Sequence, residues 1–252
     1  MILAAGRGER MRPLSDTTPK PLLEAGGKPL VVWQIEALAR AGCTDIVINA
    51  AHLADQMVAR LGDGAAFGVR IAWSIEPEPL EAAGGIATAL ALLPRGPTLI
   101  VSGDVWSAFD YATLVPRAER MARDPASPRA HLVMVPRTET LPRGDFVLRD
   151  GLLDLEGGEP LVYGNIGLHD TALFAELPRL ARLKMLPLWH DWIRRRWVSG
   201  ELYTGPWANV GTPADLAALD AMLRIRKELV VPSQAGNQGL SSDATGSPPS
   251  RG

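Results

Sequence analysis

The sequence predicts an α/β fold, with helices on both faces of a mostly parallel β-sheet and a smaller α+β lobe in the second half. Two observations lead to this fold class. Over residues 1–110, short apolar runs alternate with segments of helical spacing, an order typical of parallel strands joined by crossover helices. Over residues 111–231, shorter strand-like segments are joined by tight turns, which favours a second lobe closing over the first half.

The first half contains four predicted strands and three predicted helices. The strands are "MILA" (1–4), "DIVINA" (45–50), "VRIAWSI" (69–75) and "TLIVSG" (98–103). Helices are predicted over 29–41, 54–62 and 84–93, where apolar residues recur at helical spacing. Ligands on such sheets bind outside the carboxyl ends of the strands, so the loops after the first and last strands are expected to share one site.

The second half is predicted to mix strands and helices. Strands are expected over 130–135, 145–149, 152–155 and 161–169, with Asp150-Gly151 as the turn of a hairpin. Helices are expected near 111–123, 171–176 and 186–198, and a last amphipathic helix from Pro213 to about Glu228. These elements complete a domain over 1–231. Residues 232–252 are rich in Ser, Gly, Pro and Asn, which predicts a disordered tail.

Composition excludes several classes of protein. Hydrophobic residues make up 46% of the 252 residues, but no run of about 18 apolar residues occurs, so we expect no membrane span. The net charge of −2, with both signs interspersed, argues against a nucleic-acid partner. No secretory signal is visible, and the single Cys43 cannot form an internal disulfide, which favours a cytoplasmic protein.

The loop after the first strand has the composition of an anion site. Gly6 and Gly8 allow backbone N–H groups to converge on a ligand without a Cβ in the way. The loop also carries four cationic side chains, those of Arg7, Arg10, Arg12 and Lys20. Its spacing is not that of a Walker loop, and the prolines that follow exclude a dinucleotide-binding helix. The loop therefore predicts phosphate binding of another kind.

The whole segment "LAAGRGERMRPLSDTTPKPLLEAGGKPL" resembles the signature of the sugar-1-phosphate nucleotidyltransferases, and the resemblance extends from Met1 to about residue 225. It implies a Rossmann-like, GT-A-like fold. It also implies that Arg10 contacts the β and γ phosphates of a nucleoside triphosphate, and that Lys20 neutralises charge at the α-phosphate. Backbone groups near 3–6 would hold the base and ribose. The nucleotide-binding residues implied in this segment are Leu3, Ala4, Ala5, Gly6, Gly8, Arg10 and Lys20.

A metal site is expected next to this loop. In "SGDVW" (102–106), Asp104 follows a buried strand, where its carboxylate can hold Mg²⁺. The resemblance implies that Asp104 is the catalytic metal ligand and that Mg²⁺ is the cofactor. A second carboxylate comes in this family from a W-x-D-V-G-T segment. The chain instead has "WANVGT" (207–212), so Asn209 is the expected second metal contact, without a charge.

Two further segments resemble substrate-binding parts of the family. "EPEPLEAAGGI" (76–86) matches the segment whose backbone reads the base edge, which adds Glu81 and Gly85 to the expected nucleotide site. The alternative is that these glycines simply open the following helix. "RGDF" (143–146) and "YGNIG" (163–167) supply Asp145 and Asn165 as expected sugar contacts. The E-K-P lysine of the family has no counterpart in "EGGEP" (156–160).

These motifs imply an enzyme that joins a nucleoside triphosphate to a sugar 1-phosphate, acting as a monomer or small homo-oligomer. Within the family they are most similar to members that transfer a uridylyl group from UTP to N-acetylmuramate α-1-phosphate in peptidoglycan recycling. Transfer of a guanylyl group to mannose or heptose 1-phosphate is an alternative. Because of Asn209, so is a catalytically silent paralogue that binds a sugar nucleotide and regulates a partner.

Overall fold

The computed structural model describes residues 1–230, with side chains through Arg226, and confirms the predicted α/β class. The helices are α1 (Leu14–Thr17), α2 (Leu30–Arg40), α3 (Ala54–Leu61), α4 (Glu81–Ala89), α5 (Val115–Arg123), α6 (Leu186–Arg194) and α7 (Pro213–Val230). The strands are β1 (Ile2–Leu3), β2 (Glu24–Ala25), β3 (Lys28–Pro29), β4 (Asp45–Ala50), β5 (Arg70–Ile75), β6 (Pro97–Ser102), β7 (Val105–Ser107), β8 (Ala130–Val135), β9 (Val147–Arg149), β10 (Leu152–Asp154), β11 (Val162–Asp170), β12 (Val198–Leu202) and β13 (Trp207–Asn209). Within this range no helix has the length and apolar composition needed to cross a membrane. The predicted tail over 232–252 lies outside the described residues.

A nine-stranded sheet has the order β5-β4-β1-β6-β11-β8-β12-β10-β9. Its first four strands are parallel, as predicted for the first half of the chain. The long β11 then pairs antiparallel with β6 on one side and with β8 on the other. β12 runs parallel to β8, and the β9–β10 hairpin forms the far edge. Because β11 joins the two halves, the second half extends the sheet of the first instead of forming a sheet of its own.

Two apolar layers cover this sheet. On one face, α2 and α3 pack on β1, β4 and β5 around Ile35, Ile48 and Met57, which are fully buried. On the other face, α4 and α6 pack on β6, β8 and β10 around Phe146 and Phe174. Alternate residues of a strand thus reach two covered faces, which explains why β4 and β8 are mostly apolar in the sequence.

Several predicted boundaries are wrong, each for a local reason. The helix predicted over 186–198 ends at Arg194, because Arg196 adopts φ 62°, and β12 begins at Val198. Helix α4 begins at Glu81, before the predicted 84–93, and the predicted helix over 171–176 is a short 3-10 turn. The strands β7, β12 and β13 were not predicted, because they are short and pair with segments distant in sequence.

The predicted hairpin turn at Asp150-Gly151 is confirmed. Its two residues have φ 50° and 78°, both in the left-handed region that a two-residue hairpin turn of this kind requires. Arg149 and Leu152 are paired on either side of it.

Helix α7 ties the end of the described chain to the N-terminal loop. The N–H groups of Gly211 and Thr212 donate to Asp215 Oδ2 at 3.0 and 2.8 Å, which caps the start of the helix. Asp220 Oδ1 accepts from the Gly26 N–H in the β2–β3 turn at 2.8 Å. An apolar cluster forms between the helix, the loop and the β7–β13 pair, from Met11, Leu23, Leu30, Trp106, Val210, Leu219 and Leu223.

Gly84 allows the segment before α6 to dock on α4. A Cβ at this position would lie 2.0 Å from the carbonyl oxygen of Ala181, and the Gly84 N–H donates to the Leu183 carbonyl at 3.2 Å. Replacing glycine by alanine inside a helix normally stabilises it by about 1 kcal/mol. Here we expect Gly84→Ala to lower the free energy of unfolding by about 1–3 kcal/mol, because overpacking displaces the docked segment.

Urea denaturation of the wild type and the Gly84→Ala variant measures this difference. Gly6→Ala is the matched control, since no atom lies within 4 Å of a Cβ there and its stability is expected to stay unchanged. A Gly84→Ala variant as stable as the wild type would mean that the docked segment moves aside without cost.

Candidate active site

A cleft of ≈ 810 Å³ opens at the carboxyl ends of the parallel strands. It is lined by Leu3, Ala5, Gly6, Arg7, Gly8, Glu9, Arg10, Lys20, Asn49, Glu78, Pro79, Glu81, Ala82, Ser102, Asp104, Arg182 and Gly211. The predicted residues that it brings together are Leu3, Ala5, Gly6, Gly8, Arg10, Lys20, Glu81 and Asp104. Those that do not line it are Ala4, Gly85, Asp145, Asn165 and Asn209. The cleft lies at the edge of the sheet where the sequence predicts it.

The predicted phosphate loop is ordered by short turns of its own. The Gly8 carbonyl accepts from the Met11 N–H at 2.8 Å and from Ser15 Oγ at 2.7 Å. Gly8 has φ 65°, and a Cβ there would lie 3.0 Å from the Cβ of Lys20. Glycine is therefore needed both for the left-handed backbone and for the approach of Lys20. Beside Gly6, in contrast, there is room for a ligand, since no atom lies within 4 Å of a Cβ at that position.

The cationic groups around the loop differ in whether they are already paired. Lys20 Nζ lies 2.5 Å from Asp104 Oδ2, and these side chains are 11% and 30% exposed. Arg7 and Arg10 are exposed, and neither forms an ion pair with a carboxylate in the part of the chain that the structure describes. Arg10 lies against Gly211, since a Cβ on Gly211 would be 3.1 Å from Nη2 of Arg10. Both guanidinium groups are available for phosphate oxygens.

Asp104 and Asn209 are neighbours because β7 and β13 pair antiparallel. Asn209 is opposite Val105, and the Val210 N–H donates to the carbonyl oxygen of Asp104 at 3.0 Å. Asp104 lines the cleft, whereas Asn209, which is half-buried, does not. The fold thus brings the two predicted metal contacts to adjacent positions from distant parts of the sequence.

The chemistry of this donor set fits Mg²⁺ only together with a phosphate ligand. Asp104 offers one carboxylate and Asn209 one amide oxygen, and among the described side chains no group of three or more Asp, Glu, His or Cys could hold a metal. Mg²⁺ in nucleotide sites is typically held by one or two carboxylates, substrate phosphates and water. A metal at this place would therefore depend on the triphosphate.

Two buried polar residues were missed from the sequence, Asn49 in the cleft lining and Glu76 bonded to it. Asn49 in β4 and Glu76 after β5 are 3% and 2% exposed. Asn49 Oδ1 accepts from the Ala4 N–H at 2.8 Å, and Asn49 Nδ2 donates to Glu76 Oε1 at 2.6 Å. Glu76 Oε2 accepts from the Leu80 N–H at 3.0 Å. Burial raises the pKa of Glu76, opposed by the hydrogen bonds from Asn49 and Leu80. An asparagine inside the apolar run "DIVINA" was the available signal.

Asn49 and Glu76 pack against Gly85, and Asn49 is bonded to Ala4, which are two of the predicted nucleotide-binding residues. A Cβ at Gly85 would lie 2.6 Å from Asn49 Nδ2 and 2.8 Å from Glu76 Oε1, so glycine is required for packing inside α4. Gly85 is buried and does not line the cleft, and its expected contact with the base stays a prediction. Ala4 is also buried, with its N–H committed to Asn49.

Glu81 begins α4 in an unusual backbone conformation. Its φ of 62° lies in the left-handed region, which is uncommon for a residue with a side chain. Its Oε1 lies 3.2 Å from Nη2 of Arg182, a cleft residue that the motifs did not single out. The Leu183 carbonyl holds the segment of Arg182 in place by accepting from the Ala83 and Gly84 N–H groups. This ion pair links two walls of the cleft.

The two predicted sugar contacts, Asn165 and Asp145, do not line the cleft. Asn165 has φ 58° at a register shift of β11, and its Oδ1 accepts from Ser102 Oγ at 3.4 Å. A bulge of this kind changes the direction of a side chain. Asn165 therefore contacts Ser102, which lines the cleft, without lining the cleft itself. Asp145 Oδ2 accepts from the Tyr163 N–H at 2.8 Å, and Trp207 Nε1 donates to the carbonyl oxygen beside the bulge, that of Gly164, at 2.9 Å.

Comparison with known proteins agrees with this geometry. A family model described as "Nucleotidyl transferase" matches residues 1–139. The N-acetylmuramate alpha-1-phosphate uridylyltransferase of Neisseria meningitidis serogroup B is 44% identical over 226 residues, which are 88% of this chain and 96% of that protein. The Caulobacter vibrioides protein of the same name is 36% identical over 234 residues, with the same shares of both chains.

A solved structure shows the same fold. HddC from Yersinia pseudotuberculosis, crystallised with GMP-PN, superimposes with a TM-score of 0.71 at 18% identity, over 88% of this chain and 97% of that one. The family model covers more than half of the chain, and two relatives align with most of it. The chain therefore belongs to the nucleotidyl transferase family of enzymes.

Proposed function

We propose that this enzyme transfers a uridylyl group from UTP to N-acetylmuramate α-1-phosphate and releases pyrophosphate, in the recycling of peptidoglycan in the cytoplasm. The observation that carries nucleotidyl transfer is the arrangement of charge in one cleft. Two guanidinium groups, those of Arg7 and Arg10, line the same cleft as the Lys20–Asp104 pair and have no carboxylate partner among the residues that the structure describes. Identity of 44% over 88% of the chain to an enzyme of that name supports the choice of base and sugar.

The proposed reaction is an in-line displacement at the α-phosphorus. A phosphate oxygen of the sugar 1-phosphate attacks this phosphorus, and the bond to the pyrophosphate oxygen breaks. The nucleophile is already an anion near neutral pH, so no general base is needed. Arg10 would hold the departing β and γ phosphates, and Lys20 would neutralise charge at the α-phosphate. The rate then comes from positioning and charge neutralisation.

Asp104, with Asn209 beside it, would hold Mg²⁺. Bound there, the metal would act as a Lewis acid and template for the phosphates. Lys20 already neutralises Asp104 at 2.5 Å, so this lysine would leave the carboxylate when it turns to the α-phosphate. Glu81 at the base, and Asp145 and Asn165 at the sugar, complete the proposed site, and 1–110 and 111–231 are its nucleotide-binding and sugar-binding halves. A monomer or small homo-oligomer would suffice for this chemistry.

A substrate panel tests the proposed function. Pyrophosphate release is measured for each of the four nucleoside triphosphates with N-acetylmuramate, mannose and heptose 1-phosphates. We expect the highest kcat/KM for UTP with N-acetylmuramate α-1-phosphate. A preference for GTP with mannose or heptose 1-phosphate would support the guanylyltransferase alternative. No release with any pair, in a folded protein that binds UDP-sugars, would support the silent paralogue.

Removing the charge of Lys20 should affect catalysis strongly. We expect Lys20→Ala to lower kcat/KM by about a hundredfold or more, because one preorganised charge at a transition-state oxygen is worth roughly 3–4 kcal/mol. Steady-state pyrophosphate release measures the effect. Lys28→Ala is the matched control, since Lys28 forms an ion pair of the same length with Glu36 and does not line the cleft. Equal activity of the two folded variants would contradict the role of Lys20.

Because the side chain at position 209 is neutral, the wild type should need more Mg²⁺ than a variant with a carboxylate there. We expect Asn209→Asp to lower the Mg²⁺ concentration for half-maximal rate several-fold, if about 1 kcal/mol of attraction survives solvent screening. Titration of Mg²⁺ against pyrophosphate release compares this variant with the wild type. Asp104→Asn is the companion variant and should abolish Mg²⁺-dependent turnover. An unchanged Mg²⁺ requirement in Asn209→Asp would mean that residue 209 does not face the metal.

A further inference from the structure

We propose that Asn49 and Glu76 are a positioning pair that fixes the spacing between two walls of the nucleotide cleft. This inference rests on the proposed function, because it assigns the pair to the binding of UTP. One wall is the end of β1, with Leu3 and Ala5 in the cleft lining. The other is the segment from Glu78 to Ala82, which leads into α4.

Three hydrogen bonds in series join the two walls. They run from the Ala4 N–H to Asn49, from Asn49 to Glu76, and from the Leu80 N–H to Glu76, at 2.8, 2.6 and 3.0 Å. Ala4 is next to the cleft residues of the first wall, and Leu80 lies inside the second. The chain of bonds therefore sets the distance between backbone segments that face the nucleotide from two sides.

The donors and acceptors in this series explain the residue types. Glu76 meets donors on both sides, from Asn49 Nδ2 and the Leu80 N–H, and a carboxylate is the side chain that offers two acceptor oxygens. Asn49 must accept from the Ala4 N–H and donate to Glu76, which suits an amide. Each side chain thus matches both of its neighbours.

The surroundings leave the pair little room to adjust. Both side chains are almost fully buried, and Gly85 approaches them so closely that a Cβ there would clash with both. The register of β1 with β4 also places Asn49 directly beside Leu3. A donor that faces another donor here cannot form a hydrogen bond with water instead. Because such an unsatisfied buried donor is unfavourable, the two walls shift to relieve it.

Single substitutions that reverse one group of the series test the proposal. Glu76→Gln directs an N–H₂ group at another donor, and Asn49→Asp directs a carboxylate oxygen at Glu76. We expect either variant to raise the Kd of UTP, measured by calorimetry without metal or sugar, about tenfold, which corresponds to about 1.4 kcal/mol. The KM for UTP should rise similarly, while kcat at saturating substrates stays near the wild-type value.

The double variant Asn49→Asp with Glu76→Gln restores all three bonds, with only the middle one reversed in direction. Residue 49 would accept from the Ala4 N–H and from the amide of residue 76, whose oxygen would accept from the Leu80 N–H. The net charge of the pair is unchanged. We expect this double variant to recover the wild-type Kd and KM for UTP.

Thr171→Val is the control for a purely structural effect. Thr171 is also buried, accepts from the Gly96 N–H at 2.9 Å and donates to the Pro94 carbonyl at 3.0 Å, at the opposite edge of the sheet. It should lose stability and keep the KM for UTP. Wild-type Kd and KM in a folded Asn49→Asp or Glu76→Gln variant would overturn the proposal, as would a folded double variant that binds UTP as weakly as the single ones. A wild type without turnover in the substrate panel would instead contradict the proposed function.

Discussion

The pairing of β1 between β4 and β6 is the constraint on which the rest of the site depends. This strand has only two residues, yet Ile2 pairs with Ile48 and Val101, and Leu3 pairs with Asn49 and Ser102. All three strands are parallel, so they end at one edge of the sheet. The glycine-rich loop, Asn49 and the segment before Asp104 therefore meet there.

The charged side chains of the cleft are of two kinds, those paired with each other and those exposed without a partner in the described structure. The Lys20–Asp104 pair is partly buried, so its charges are screened less than those of a surface pair. Arg7 and Arg10 carry exposed charge without a carboxylate partner in the described structure, which favours an incoming polyanion. The protein thus presents free positive charge at the entrance to the loop and a neutralised carboxylate behind it.

The walls of the cleft are held by polar groups that water does not reach. Asn49 and Glu76 form hydrogen bonds with each other and with the backbone N–H groups of Ala4 and Leu80, and burial of the carboxylate raises the pKa of Glu76. Glu81 lines the cleft and Asn165 contacts Ser102 in its lining, and both adopt left-handed backbone conformations. Conformations of that kind persist where the surrounding structure holds them, and they cluster at functional sites. These buried polar groups therefore support the residues that line the cleft.

The sequence by itself determined the α/β class, the parallel first half, the hairpin at Asp150-Gly151 and the grouping of Arg10, Lys20 and Asp104. These features follow from local periodicity, turn chemistry and one contiguous motif. Only the tertiary structure decided that β11 carries the second half into the same sheet, that β7 and β13 place Asn209 beside Asp104, and that Arg182 reaches Glu81. It also decided that Gly85 packs against Asn49 and Glu76. The physical reason is that short strands and buried polar pairs draw their stability from partners distant in the chain, which no local pattern records.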